Sequence, residues 1–273
     1  MKKLIPHLAF TSILSLSTIV ITVGVPSPLA LSKPLSNQET NKNSVYIADD
    51  ELSAKDYFDR GEAYRKKNEY DRAMDNYNKA IKLDPRHIWS YNGRGICYQN
   101  KGDFGRAMID YNKAIELDAR EPWAYANRGS VYNQQRQYNQ AISDYTKAIE
   151  RSRTYVSAYN GRGIAYQNKG EFDKAIKDFN TAIKLDPRNK RAYANRGSAY
   201  EEKGDYKRAI KDLDKAIKLD RKYVWAYVSR GIAHEKKGKY EKAMKDYEKA
   251  IQLDPNNKDA INNRNNLKRK MER

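Results

Sequence analysis

Chemically reactive side chains are scarce in this sequence. Its 273 residues include one cysteine and three histidines. A single cysteine excludes an internal disulfide and cannot build a zinc site. The sequence also has no glycine cluster that would cradle a phosphate and no set of residues typical of a catalytic centre. We therefore predict that the protein is not an enzyme and that it uses no metal and no cofactor.

Long uncharged runs are scarce as well, and the clearest one lies at the start of the chain. Two lysines precede Leu8–Val25, which holds no charged residue over 18 positions, and small residues follow up to Ser32. This order is typical of a secretory signal cleaved near Ala30. An uncharged run of this length can also span a bilayer, so residues 1–32 are predicted to be either a signal peptide or an N-terminal membrane anchor.

The segment that follows is polar. Residues 33–52 have little to bury and are predicted to form a flexible linker. Both interpretations of residues 1–32 place the rest of the chain outside the cytoplasm, because the positive end stays inside. The expected location is periplasmic, lumenal or secreted if the signal is cleaved, and membrane-tethered if it is not. Ser53 and Asp56 predict a capping box that begins the first helix.

A 34-residue pattern recurs six times between Ala54 and Asn257. Its frame is Tyr-x2-Arg-Gly-x2-Tyr, followed by Ala, an aromatic residue and Ala. A strict period of this kind indicates a linear stack of similar units. Because a stack encloses no single pocket, a binding surface is expected rather than a catalyst. The six frames begin at Tyr57, Tyr91, Tyr125, Tyr159, Tyr193 and Tyr227.

Each repeat has apolar and small residues at helical spacing on both sides of a turn signal. In the second repeat the turn signal is Asn100–Asp103. Short links force the two helices to be antiparallel, and small residues such as Gly95 and Ala107 let their backbones approach. The residues on the facing sides are Tyr91, Gly95 and Tyr98 before the turn, and Ala107, Tyr111 and Ala114 after it.

This frame resembles the tetratricopeptide repeat family in length, spacing and residue class, over about three quarters of the chain. Tyr stands where the family has Trp, and Arg where it has Leu. The resemblance implies an all-α fold, a right-handed α-solenoid of six helix-turn-helix repeats. A polar C-terminal capping helix is predicted over 258–273. The predicted repeats are 54–87, 88–121, 122–155, 156–189, 190–223 and 224–257.

The arginine of the frame has an acidic or amide residue 16 positions later in every repeat. The two positions should face each other across the helix pair, so an ion pair is predicted in five repeats, with the arginine stem packed on tyrosine rings. The alternative is an arginine ladder that binds an anionic ligand. The pairs are Arg60 and Asn76, Arg94 and Asp110, Arg128 and Asp144, Arg162 and Asp178, Arg196 and Asp212, and Arg230 and Asp246.

Two of the rare reactive residues fall inside the repeat frame. Cys97 stands where other repeats have Ala or Val, and His234 stands where the other five have Tyr. Both are predicted to be packing residues, although a free thiol outside the cytoplasm could also form an intermolecular disulfide.

The family resemblance also implies where a ligand would bind, because first helices line its concave groove. All three tryptophans and a set of amides fall at the expected positions. Amides pair with the backbone of an extended peptide, and tryptophan gives a large contact area. The alternative is that the rings pack between repeats and the amides are merely solvated. The candidate groove residues are Trp89, Asn92, Gln99, Trp123, Asn127, Asn133, Asn160, Gln167, Asn195 and Trp225.

The leading functional hypothesis is therefore a non-enzymatic scaffold that binds a peptide or helix of a partner protein in the concave groove. Some family members hold a carboxylate-terminated peptide with a set of Lys, Asn and Arg from three first helices. This sequence has only fragments of that set, Arg191 and Asn195, so that ligand is not predicted.

Positive charge is the other conspicuous feature, with a formal net charge of +18. Basic residues form a stripe along the outer face of the second helices. A basic ridge attracts anionic partners, so the alternative function is binding of an anionic membrane or envelope polymer. Nucleic acid is an improbable partner because the aromatic residues are used by the repeat frame instead of alternating with the basic stripe. A merely solvated face is the remaining interpretation. The ridge residues are Lys177, Lys184, Arg208, Lys211, Lys215, Lys218 and Lys245.

Overall fold

The structure is a computed structural model that describes residues 52–273. The predicted signal or anchor segment and the predicted linker up to residue 51 lie outside the described residues. The described part of the chain consists of α-helices joined by short turns and contains no strand, which confirms the all-α prediction. The helices are α1 Ala54–Lys66, α2 Tyr70–Leu83, α3 Ile88–Asn100, α4 Phe104–Leu117, α5 Pro122–Gln134, α6 Tyr138–Arg151, α7 Val156–Asn168, α8 Phe172–Leu185, α9 Lys190–Glu202, α10 Tyr206–Leu219, α11 Val224–Lys236, α12 Tyr240–Leu253 and α13 Lys258–Met271.

Local signals set the helix ends. The predicted capping box is present, since Ser53 Oγ accepts from the Asp56 amide at 3.2 Å and Asp56 Oδ2 accepts from the Ser53 amide at 2.9 Å. The turn between the two helices of a repeat needs one residue with positive φ, which glycine adopts without a Cβ penalty. Four repeats use glycine there, while Asn68 and Arg136 take φ of 61° and 60° in the first and third.

The core of each repeat is a close approach of the first helix to a large side chain of the second. A Cβ atom added at Gly95 would lie 2.7 Å from Tyr111, and one added at Gly163 would lie 2.5 Å from Phe179. Those rings are fully buried, as are the alanines that flank them. The helix pair therefore depends on glycine at this position, as the sequence predicts. Gly129 is the least crowded member, with its nearest neighbour at 3.3 Å.

Helices pack in chain order, which makes the molecule a solenoid of six helix pairs ended by α13. Each first helix also approaches the first helix of the next repeat closely, whereas in residues 52–273 the backbones of the second helices stay further apart. The first helices are thus on the inner side of the curved stack. No helix of this part of the chain is long and apolar enough to cross a membrane.

Candidate functional site

The frame arginines are held by paired hydrogen bonds. Arg94 donates from Nε and Nη2 to the two carboxylate oxygens of Asp110, at 2.9 and 2.7 Å. The aspartates are nearly buried, at 2–6% exposure, and the guanidinium lies over the tyrosine ring three residues earlier. The predicted pair is confirmed in five repeats, and the remaining members are Arg128 with Asp144, Arg162 with Asp178, Arg196 with Asp212 and Arg230 with Asp246.

The same arginines make a third contact that the sequence analysis missed. Nη1 of Arg94 donates to Asn78 Oδ1 at 2.6 Å, on the second helix of the preceding repeat. Each of these guanidinium groups therefore bridges three helices and two repeats, and the alternative of a free ligand-binding ladder is wrong. The sequence signal was a polar residue 16 positions before each arginine. In the other four repeats this residue is Asn112, Thr146, Asn180 or Asp214.

The inner face contains two copies of a longer, two-repeat pattern. Tyr-Asn-Gly-Arg-Gly occurs at 91–95 and again at 159–163, and Tyr-Ala-Asn-Arg-Gly-Ser occurs at 125–130 and again at 193–198. We call residues 88–155 unit one and residues 156–223 unit two. The amide groups of the candidate groove belong to this pattern, so equivalent residues can be compared between the units.

In unit one the central amides are closed on each other. Asn127 Nδ2 donates to Asn92 Oδ1 at 2.6 Å, and the two residues are 7% and 5% exposed. Trp89 and Trp123 lie beside each other with ring centroids 4.8 Å apart, and Trp123 is only 6% exposed. The structure differs here from the expected open surface of amides, because the two asparagines are nearly buried and joined by a hydrogen bond, and the Trp123 ring packs in the core with Trp89 against it. Their part in ligand binding stays a prediction.

In unit two the equivalent amides, Asn160 and Asn195, are not joined by a hydrogen bond within residues 52–273. Asn160 Oδ1 is buried and has no donor. Both side chains are partly exposed. Ser157 and Arg191 stand where unit one has its two tryptophans, so no indole pair covers this part of the inner face.

A second row of amides lies at the other end of the first helices. Gln99 donates to Ser130 Oγ at 3.1 Å, and Gln167 donates to Ser198 Oγ at 3.0 Å. Asn133 accepts from Asn168 at 3.3 Å. These bonds link neighbouring first helices on the inner face, so this row stiffens the stack as well as presenting polar groups.

The row becomes acidic in unit two. Glu201 occupies the position of Asn133, and burial raises its pKa to about 7, with the Glu202 charge adding to the shift and Lys236 opposing it. Trp225 follows at the end of the inner face, where its partly buried ring lies 6.1 Å from that of Tyr223.

All of the predicted ridge residues are exposed on the second helices. Arg208 is paired with Asp205 at 2.6 Å and lies over the Tyr200 ring. The other six are lysines with no ion-pair partner among the described residues. The ridge is therefore a solvated basic surface, and its role stays a prediction.

The single cysteine is a packing residue of the core. Cys97 is fully buried, and burial raises the pKa of its thiol to about 12, so it stays protonated and unreactive at neutral pH. The described residues contain no cluster of three or more His, Cys, Asp or Glu side chains placed to hold a metal ion.

Family models described as tetratricopeptide repeat match residues 88–120, 122–155 and 224–257, and residues 160–224. A model described as TPR repeat matches residues 61–102. Together these matches span well over half of the chain. No curated protein matches the sequence.

Solved structures share the architecture. A chain of the APC/C hetero-tetramer Cut9-Hcn1 superposes with a TM-score of 0.73 at 19% identity, over 79% of this chain but 42% of that one. MamA is 32% identical with a TM-score of 0.51, over 62% of this chain and 92% of that one. YrrB, described as a TPR protein with an unusual peptide-binding site, is 22% identical with a TM-score of 0.51, over 68% of this chain and 96% of that one.

Proposed function

The chain belongs to the tetratricopeptide repeat family, and we propose that it binds a peptide segment of a partner protein across the inner face of unit two. The family's fold supports a scaffold for protein–protein interaction, and such scaffolds are typically not enzymes. In this proposal the partner segment lies across α7 and α9, and side-chain amides recognise it by pairing with its backbone.

The observation that carries the proposal is the difference between the two amide pairs. Asn127 donates a hydrogen bond to Asn92 and both residues are nearly buried, whereas Asn160 and Asn195 share no hydrogen bond and are partly exposed. Asn160 Oδ1 is buried without a donor, so the amide of Asn195 is the group left to pair with the N–H and C=O groups of an extended peptide. Arg191, which has no ion-pair partner in residues 52–273, adds a cation suited to an acidic residue of that peptide.

The test is a selection of displayed random peptides on the full-length protein, followed by calorimetry of the best binder. Replacing both Asn160 and Asn195 by alanine should weaken binding about tenfold or more, which is the effect of losing two or three net hydrogen bonds. Asn76→Ala is the control, because that side chain bonds only the Arg72 carbonyl of its own helix. Unchanged affinity in the double variant would refute the assignment to unit two.

We also propose that the repeats work outside the cytoplasm. The sequence of residues 1–32 supports this, with its two lysines, uncharged run and small residues before Ser32. Fusion of residues 1–52 to a reporter that is active only after export tests it. Cytoplasmic retention of the fusion would contradict the proposal, and the size of the exported product distinguishes a cleaved signal from a retained anchor.

A second candidate function is binding of anionic lipid or polymer by the ridge. Its support is the unbroken exposure of Lys211, Lys215 and Lys218 along α10. Binding to anionic vesicles should then fall steeply between low and physiological salt and should be lost when these three lysines are replaced by glutamine. Vesicle binding that ignores both changes would eliminate this candidate.

A further inference from the structure

An open cleft of about 500 Å³ lies where α10, α11 and α12 meet, away from the amide pairs of the inner face. Its rim is formed by exposed lysines. The two carboxylates that line it, Asp214 and Asp246, both accept hydrogen bonds from Arg230. Five lysines and one arginine line the cleft against these two carboxylates, which leaves a surplus of four positive charges. The lysines are Lys207, Lys237, Lys239, Lys242 and Lys245.

The cleft occurs where the sequence departs from a neutralising feature of the other repeats. In four repeats the residue before the second helix is acidic and pairs with a basic residue three positions later, as in Asp103 with Arg106 and Glu171 with Lys174. In the sixth repeat the acidic residue is replaced by Lys239. Lys242 therefore has no carboxylate partner among residues 52–273.

A second ion pair of the other repeats is also missing at this place, because a lysine replaces its acidic residue. Lys101 pairs with Asp71, and Lys203 pairs with Asp173, each across neighbouring repeats. The equivalent of these lysines in the sixth repeat is Lys237, and the residue at the position of its partner is Lys207. Two positions that hold ion pairs elsewhere in the stack thus hold like charges here, and like charges in proximity destabilise the structure unless a counterion intervenes.

The cleft also contains an unsatisfied polar atom. His234 is 9% exposed, lines the cleft and has no hydrogen-bond partner for Nδ1. The other five repeats carry tyrosine at this position, and in four of them a basic side chain lies over its ring, as Arg106 does over Tyr98 at 4.6 Å. In the sixth repeat that basic side chain is Lys242. It has no tyrosine ring to lie over, because the residue is His234, and no acidic partner, because that residue is Lys239.

We propose that this cleft binds a multiply charged phosphoryl anion. Lysine ammonium groups and a histidine N–H are donors that form short, charge-assisted hydrogen bonds to phosphate oxygens. A pyrophosphate-sized group would neutralise the four surplus charges, bridge Lys207 and Lys237, and lie against the His234 ring that lines the cleft. The cleft uses different residues from the amide pairs of the inner face, so this site does not depend on the proposed peptide binding.

The test is calorimetric titration of the full-length protein with inorganic pyrophosphate at about 50 mM salt. The decisive variant carries Lys207→Asp and Lys239→Asp, which restores the acidic residues that the other repeats have at these positions. We expect one bound pyrophosphate per chain, an affinity at least tenfold lower in this double variant, and a several-fold loss in His234→Tyr. The double variant should melt no lower than the wild type in the absence of pyrophosphate, because it regains two ion pairs.

The control variant, Lys66→Asp with Lys67→Asp, changes the net charge by the same amount at exposed positions of the first repeat, outside both the cleft and the ridge. It should alter the affinity less than about threefold. Binding of neither pyrophosphate nor phosphatidic acid vesicles by the wild type, or an equal loss in the control, would overturn the proposal. A second arm of the experiment uses vesicles that contain phosphatidic acid. If free pyrophosphate binds, the ligand is a soluble anion. If only the vesicles bind, and the decisive variant loses that binding, the ligand is a lipid headgroup.

Discussion

Unit one and unit two share the same frame but present different inner faces. In both, first-helix glycines receive a second-helix side chain and a partly buried arginine joins three helices. Unit one joins Asn92 to Asn127 by a hydrogen bond and packs two indole rings together, whereas unit two has no hydrogen bond between Asn160 and Asn195 and no tryptophan at the equivalent positions. A duplicated unit can therefore keep its stability in one set of positions and change its binding capacity in another.

The largest effect should be equal in the two units, because it concerns the shared frame. Arg128→Ala and Arg162→Ala each leave a nearly buried aspartate without its partner, at a cost of about 3–5 kcal/mol in the free energy of unfolding. Urea denaturation of the two variants measures it. Costs that differ by more than about 1 kcal/mol would mean that the frames of the two units are not equivalent.

The next effect separates the units at one pair of equivalent glycines. An added Cβ atom at Gly197 would lie 2.9 Å from the Leu213 side chain, whereas at Gly129 its nearest neighbour lies at 3.3 Å. Gly197→Ala should destabilise by about 1–3 kcal/mol through overpacking. Gly129→Ala should be close to neutral, since the better helix propensity of alanine offsets a mild crowding. Equal midpoints in urea would show that the extra space at Gly129 has no energetic consequence.

A pH effect that extends to neutral pH should belong to unit two. Burial raises the pKa of Glu201 from 4.5 to about 7, so the folded state binds the proton more tightly than the unfolded state. This stabilisation is complete below pH 4.5 and is lost as the pH rises through 7. Glu201→Asn, which introduces the unit one residue, should remove that slope and raise stability at pH 8 by about 2 kcal/mol relative to wild type. If the stability of this variant kept the wild-type pH profile, the pH dependence would not come from Glu201.

The smallest effect on stability concerns the amides themselves. Asn127→Ala leaves Asn92 Oδ1 without its donor and should cost about 1 kcal/mol. Asn195→Ala breaks no hydrogen bond within residues 52–273 and should change stability by less than about 0.5 kcal/mol. Thermal denaturation of the two variants makes the comparison. A larger loss in Asn195→Ala would indicate that this side chain is already used inside the fold.

The fold could be predicted from the sequence because its 34-residue period leaves little choice of architecture. The arginine pairs could also be predicted, since the separation of 16 residues places Arg94 opposite Asp110. The third arginine contact was missed although the equal spacing toward Asn78 was visible. Whether an amide is open or closed could not be read from position alone. Asn92 and Asn160 have the same neighbours in sequence, and the two units differ nearby at Trp89 and Trp123, where unit two has Ser157 and Arg191.

The most direct measurement is NMR of the asparagine side-chain amide groups while a selected peptide is added to the full-length protein. The Asn160 and Asn195 resonances should shift on binding, and those of Asn92 and Asn127 should stay in place because their groups already bond each other. Shifts confined to Asn92 and Asn127 would contradict the account, since the closed unit would then be the one that opens to receive the partner.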